Sequence, residues 1–284
     1  MNNRTAVVTG STGGLGGEVV RGLAQDGWDL ILLDRTPAKQ EKILEGLKAA
    51  YPDQHFEGQR IDLMDLPTVH KAIEAVKATT KSINALWNIS GLLTDARRDS
   101  AQGIEGHFAV NTVAPYALIR GLQPLLAEGA KAAPAYIANF TTGGVNNVKS
   151  LDVGALTDPP EVGGLFGAYS ISKAALQMVG VALADTLKSQ GILTYAVDPG
   201  ATKTSMTDGN AAMPWFIRLL RPLLFQPVEK QAAKLMSAVK DAAAQQETGL
   251  FISGGKRKKH PPLMFDEAAQ RELLSLLDGL TAPS

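Results

Sequence analysis

The sequence predicts an α/β protein, a single doubly wound Rossmann-type domain whose seven-stranded, mainly parallel sheet carries helices on both faces. Three observations predict it. Short β-branched runs alternate with helix-patterned segments along nearly the whole chain, the order that produces parallel strands joined by crossover helices. Several strand candidates are apolar throughout, as when both faces of a sheet are covered. A cluster of glycines follows the first strand and opens the first helix, the context in which such a cluster is informative.

The elements follow in order. TAVVT (5–9) precedes a helical pattern over 14–26, DLILL (29–33) one over 37–50, and HFEGQRI (55–61) one over 66–79. INALWNI (83–89) precedes 104–127, AYIANF (135–140) precedes 168–189, LTYAV (193–197) precedes 228–244, and GLFI (249–252) precedes 265–279. Two stretches break the rhythm: the Gly- and Pro-rich 143–167, and 199–227, which runs from PGATKT to PWFIRLLRPLLFQP. Long irregular connections in such a domain are usually functional, and these two leave the carboxyl end of the sheet, where open α/β folds bind ligands. No repeat or linker interrupts the chain, so residues 1–284 read as one domain with substrate loops at 143–167 and 199–227.

Composition narrows the function. The 284 residues are 45% hydrophobic and 20% charged, enough for a substantial core. Equal numbers of cations and anions argue against nucleic acid or an anionic membrane as the main partner. The absence of cysteine removes disulfide, thiolate-metal and cysteine-nucleophile chemistry. Four scattered histidines show no metal-ligand spacing, and no metal is expected. No apolar run reaches the roughly 18 residues of a membrane span, and the start lacks a signal-peptide pattern. The expectation is a cytoplasmic protein without stable membrane insertion that acts on a small-molecule substrate.

Gly10, Gly14 and Gly16 lie directly after the first strand. Without Cβ atoms they let a pyrophosphate approach the backbone, and the helix N-terminus offers unpaired N–H groups to it. Asp34 closes the second strand, where a carboxylate accepts both ribose hydroxyls of an adenosine and repels a 2′-phosphate, favouring NAD. Arg35 follows and either pairs with that phosphate, which keeps NADP as the alternative, or is a solvated loop cation. Asp62, after the third strand, reaches an adenine amino group or caps the helix near 66.

GAYSISKAAL (167–176) places Tyr169 four positions before Lys173, so on a helix the two share a face. A free phenol titrates near 10, too high for efficient proton transfer at neutral pH, and a neighbouring ammonium lowers that value. The pair is a candidate general acid or base.

Taken together these features resemble the short-chain dehydrogenase/reductase family over essentially the whole length, and in particular its long-loop, retinol-dehydrogenase-like members. The matching elements are Thr9-Gly10 with Gly14 and Gly16, the NISG segment of Asn88 to Gly91, Asn111, the NFTTG end of the fifth strand, Tyr169 with Lys173, and PGATKT at 199–204. The resemblance implies that Tyr169 is the catalytic acid/base, that Lys173 binds the nicotinamide ribose and lowers the tyrosine pKa, and that Thr204 contacts the carboxamide. It implies that Asn88 holds the loops around the cofactor, and that Thr12, Leu15, Leu63, Ser90, Gly91, Pro199, Gly200 and Thr202 also lie along it. Thr142 stands where the family usually has a serine that polarises the substrate oxygen, and NISG replaces the usual N-N-A-G with Ile89 at a polar position. Pro115, four residues after Asn111, has no N–H, so a bend and a free Asn111 carbonyl are expected; the family's proton relay would use that carbonyl to reach Lys173. His107, one turn earlier, reads as packing or polar surface.

The step of 27 positions from Thr142 to Tyr169 resembles that of the long-loop members, which implies a bulky apolar substrate. PWFIRLLRPLLF (214–225) reads as a lid, with an interfacial helix or a core helix as alternatives; the charge run at 254–260 reads as a solvated loop. A homo-oligomer is common among similar proteins and is expected. The functional expectation is an NAD(P)-dependent oxidoreductase moving a hydride between nicotinamide and a carbonyl or secondary alcohol. A non-catalytic dinucleotide-binding sensor or scaffold is the alternative.

Overall fold

The structure is a computed structural model and describes residues 4–160, 162–163, 167–202 and 225–282. Thr204 and nearly all of the expected lid lie outside these residues. The strands are β1 (Thr5–Thr9), β2 (Asp29–Asp34), β3 (Phe56–Arg60), β4 (Ala85–Asn88), β5 (Ala135–Phe140), β6 (Ile192–Asp198), β7 (Leu250–Ser253) and β8 (Lys256–Lys258). They form one sheet in the order β3-β2-β1-β4-β5-β6-β7-β8, parallel as far as β7. The helices are α1 (Gly14–Gln25), α2 (Pro37–Ala50), α3 (Leu66–Thr79), α4 (Gly106–Phe108), α5 (Ala114–Ala130), α6 (Ala168–Ala182), α7 (Ala184–Lys188), α8 (Val228–Ala244) and α9 (Glu267–Thr281).

Strand periodicity divides the core. Successive side chains point to opposite faces. Thus Val7, Ile31, Leu33, Leu86 and Ile137 join the cluster under α3, α5, α6 and α9. Val8, Leu30, Leu32, Trp87 and Ala138 join the one under α1 and α8. Local signals start and stop the helices: Pro37 opens α2 at its first turn, where a missing N–H costs nothing, and the Asp266 carboxylate caps α9 through the N–H groups of Ala268 and Ala269, each at 3.1 Å. The chain reverses its winding between β1 and β4, the switch point at which a crevice opens outside the strand ends.

Three sequence expectations need correction. Among the described residues the sheet has eight strands, not seven: the run at 254–260 is not all loop, because Gly254 and Gly255 both have positive φ (58° and 80°). That is the backbone a two-residue hairpin turn demands, and it pairs Lys256–Lys258 antiparallel to β7. The helix expected over 104–127 is α4 and α5 joined by a π-helical turn over Ala109–Val113, closed by the Ala114 N–H to the Ala109 carbonyl. The missing N–H of Pro115 is absorbed by this wider turn rather than by a simple bend. The segment 168–189 is likewise two helices, α6 and α7, broken at Leu183.

Candidate active site

A cleft of about 840 Å³ opens at the carboxyl ends of β1, β2, β4, β5 and β6. Its floor is the glycine turn. Gly10 (φ 76°) is bridged by its N–H to the Leu33 carbonyl (3.2 Å), and the Gly13 N–H returns to the Gly10 carbonyl (3.1 Å). A Cβ at Gly16 would overlap the Gly10 carbonyl, so only glycine lets α1 start this close to β1. No side chain caps α1 at Gly13, leaving its first N–H groups and positive dipole end for an anion. This uncapped end, edged by Thr12, Gly13, Gly14 and Leu15 of the cleft wall, fits a dinucleotide pyrophosphate.

Asp34 and Arg35 line the cleft together with Lys39, as do Asp62 and Leu63. Asp34 is 3% exposed. Its carboxylate accepts from the Ser11 hydroxyl, from the Thr12 N–H (3.1 Å) and hydroxyl (3.2 Å), and from Gln40 Nε2 at 3.5 Å. It therefore ties β2 to the glycine turn as well as facing the cleft. The Asp62 carboxylate accepts from the Met64 N–H (3.0 Å), a turn just ahead of α3, whose N-cap is Asp65.

Ser90 and Gly91 line the cleft beside Ile89. Thr9 ties this loop to β1: its hydroxyl accepts from the N–H groups of Ile89 (3.1 Å) and Ser90 (3.2 Å). Asn88 does not line the cleft. Its amide donates to Asn139 Oδ1 across the β4–β5 pair (2.8 Å), so its side chain is spent inside the sheet. Pro199, Gly200 and Thr202 form another edge.

Tyr169 and Lys173 line the same cleft, buried on α6 at 7% and 3% exposure. No hydrogen bond joins them. Lys173 Nζ donates to the Phe140 carbonyl (2.8 Å) at the end of β5, and burial lowers the lysine to about 7. Burial pushes the Tyr169 phenol up, and the Asp198 carboxylate pushes it further the same way. The expected depression of the phenol by the ammonium is thus opposed by desolvation in the protein alone. Thr142 lines the cleft; its hydroxyl accepts from the Gly144 N–H (3.2 Å) and keeps its own proton to donate.

Asn111 lies behind the wall rather than on it, within the π turn. Its amide exchanges two bonds with the Leu92 backbone (2.9 and 3.0 Å) and donates to Ser172 Oγ (3.0 Å), which bonds the Tyr169 carbonyl (2.8 Å). Two features escaped the sequence reading. Asp198, the residue before the Pro199-Gly200 turn, is 4% exposed and in the cleft. It holds the Gly200 N–H and the Ser253 hydroxyl (both 2.8 Å), and burial raises its carboxyl, against those bonds and one from Gly143. The DPG sequence was its only signal. The other is a buried carboxylate–imidazole pair, Glu105 with His107.

A dinucleotide turn and a buried phenol–amine pair sharing one cleft define a nicotinamide-dependent oxidoreductase. The short chain dehydrogenase profile matches residues 4–147, about half of the chain, and the chain belongs to that family, whose members are NAD(P)-dependent dehydrogenases and reductases of small molecules. It is 27% identical over 270 residues to retinol dehydrogenase 12 of Bos taurus, covering 94% of this chain and 83% of the relative. The NADPH-bound carbonyl reductase from chicken fatty liver superposes with a TM-score of 0.68 at 20% identity, over 92% of this chain and all of that one. The 3-ketoacyl-(acyl-carrier-protein) reductase of Brucella melitensis, complexed with NADH, superposes at 0.66 with 21% identity, over 89% and 97%. Among the described residues no helix is long and apolar enough to cross a membrane, and no group of His, Cys, Asp or Glu is placed to hold a metal.

Proposed function

We propose that this enzyme interconverts a carbonyl and a secondary alcohol on a bulky, apolar small molecule. One observation carries the reading: Tyr169 and Lys173, both buried, line the cleft onto which the uncapped glycine turn opens. Bound there, the nicotinamide supplies or accepts the hydride. Tyr169 Oη gives its proton to the carbonyl oxygen in reduction and takes it back in oxidation. The Thr142 hydroxyl donates to the same oxygen and orients it. Lys173, buried and near neutrality in its titration, holds the cofactor ribose and favours the ionised phenol when it is charged. Asn111 keeps the Leu92 backbone and α6 in register, its carbonyl serving the proton path to Lys173. Leu92, Leu93, Val110 and Phe225 on the cleft wall suit an apolar substrate; Thr204 keeps its proposed contact with the carboxamide, and 214–225 its proposed role as a lid.

Gly10, Thr12, Gly14, Leu15, Gly16, Asp62, Leu63, Ser90, Gly91, Pro199, Gly200 and Thr202 are assigned to cofactor binding, and Asn88, off the cleft wall, to holding the strand ends and loops around the cofactor. Asp34 at the end of β2 favours NAD, and Arg35 keeps NADP as the alternative; titration of both coenzymes decides between them. The chain acts as one cytoplasmic domain and assembles as a homo-oligomer, which light scattering checks. The catalytic test follows reduced-nicotinamide absorbance across a panel of ketones and alcohols. Tyr169→Phe is expected to lower kcat by about 10²–10⁴-fold; wild-type turnover in that variant overturns the assignment.

A further inference from the structure

Glu105 and His107 are among the most deeply buried polar side chains in the protein, at 1% and 0% exposure. Burying a charge is costly unless it is paired and hydrogen-bonded, and this pair is fully bonded. Glu105 Oε1 meets His107 Nδ1 at 2.7 Å, and Oε2 accepts from the Phe108 N–H at 3.0 Å. On its other side the imidazole meets the backbone N–H of Thr94, with Nε2 at 3.1 Å. A backbone N–H can only donate, so Nε2 bears a lone pair and the ring proton sits on Nδ1, directed at the carboxylate.

The position of this pair is what gives it a role. His107 and Asn111 are one helical turn apart and face the same way. Asn111 holds Leu92 by two bonds and His107 holds Thr94, so the segment 92–94, whose Leu92 and Leu93 line the cleft, hangs from two adjacent rungs. The His107 ring also stands edge-on to the Tyr169 ring, with centroids 6.3 Å apart at 75°. Both outer loops converge on the same place: the Glu105 N–H donates to the Thr157 carbonyl (2.9 Å), the Gly106 N–H to the Arg98 carbonyl (2.7 Å), and Arg97 pairs with Asp158 at 2.7 Å.

We infer that His107, held in one tautomer by Glu105, is a positioning residue that, through Thr94, sets Leu92 and Leu93 of the cleft wall and the Tyr169 ring at the geometry needed for carbonyl reduction. The inference rests on the assignment of proton transfer to Tyr169 made above. A displacement of about 1 Å at reacting groups can cost about 10²-fold in rate, which is the scale on which such a support acts.

The test compares His107→Phe, which keeps the ring but loses both hydrogen bonds, with His107→Gln, whose amide can donate to Glu105 and accept from Thr94. His107→Phe is expected to lower kcat and raise KM for the carbonyl substrate while the Kd of the coenzyme stays unchanged. His107→Gln is expected to recover most of that loss. Equal losses in the two variants, or wild-type kinetics in His107→Phe, overturn the inference. Imidazole nitrogen NMR on the unaltered protein gives a reading that needs no variant to fold: the proton is expected on Nδ1, and a proton on Nε2 overturns the tautomer argument. Tyr169→Phe run in parallel separates the two readings. If it retains full turnover, the site assignment itself fails; if it is inactive while His107→Phe is unaffected, only the positioning role falls.

Discussion

At the glycine-turn end of the cleft, the buried Asp34 carboxylate meets three of the chain's own residues: Ser11, Thr12 and Gln40. At the Tyr169 end, the buried Lys173 amine meets one carbonyl, that of Phe140, among the described residues. The first charge has its lost hydration replaced by a nearly complete set of donors. The second does not, and burial carries its titration from 10.5 down to about 7. The difference separates two uses of a buried charge. Asp34 builds the turn whether or not a ligand is present. Lys173 is left responsive to what binds beside it, as expected where a site must change protonation during work.

The largest expected effect comes from breaking the glycine-turn end outright. Gly16→Ala sets a Cβ against the Gly10 carbonyl, where neither backbone can yield, and is expected to cost about 3 kcal/mol in chemical denaturation together with coenzyme binding measured by fluorescence titration. Asp34→Ala is milder but more pointed. It leaves the Ser11, Thr12 and Gln40 donors without their acceptor, at an expected cost of about 2 kcal/mol, and shifts the ratio of coenzyme affinities toward NADP. Unchanged stability would mean that the carboxylate serves ligand alone, and the contrast between the two ends would lose its basis.

The smallest effect sharpens the comparison from the other side. Lys173 has a depressed pKa in the folded state, so between about pH 7 and pH 10.5 the unfolded chain binds a proton that the folded chain has released. Stability measured without added coenzyme therefore rises with pH through that window, by at most about 1.4 kcal/mol per pH unit from this group, and is flat with respect to it below. Lys173→Met is expected to remove that part of the slope. A slope that survives the substitution would show that the amine is as well compensated as Asp34.

Much of the site was legible in residue spacing. The glycine turn needed only a strand, a helix start and the absence of Cβ atoms, all local. Tyr169 and Lys173 shared a face because of helical period. Their common cleft was legible only through the position of their helix in the alternating pattern. The proline at 115 announced a disturbance at Asn111, though not that a π turn would absorb it. The strand after Gly254-Gly255 was missed because its charges outweighed a turn signal that was in plain view. Asp198 and the Glu105–His107 pair were missed for another reason: an aspartate before a Pro-Gly turn, or a histidine two residues after a glutamate, says nothing of burial.

Asn88 makes the distinction plain. Its strand ended as spacing required, yet its side chain went to Asn139, because β5 flanks β4 on the side away from β1 and sets Asn139 in register with Asn88. The amino-acid order alone determined the alternation of strands and helices, the glycine turn and the helical pairing of Tyr169 with Lys173, since each depends on contacts within a turn or two of chain. Which carboxylate is saturated, which amine is left poorly compensated, and which histidine stands against the phenol were decided by the packed sheet, because burial and hydrogen-bond partners come from residues far apart along the chain that only the strand order makes neighbours.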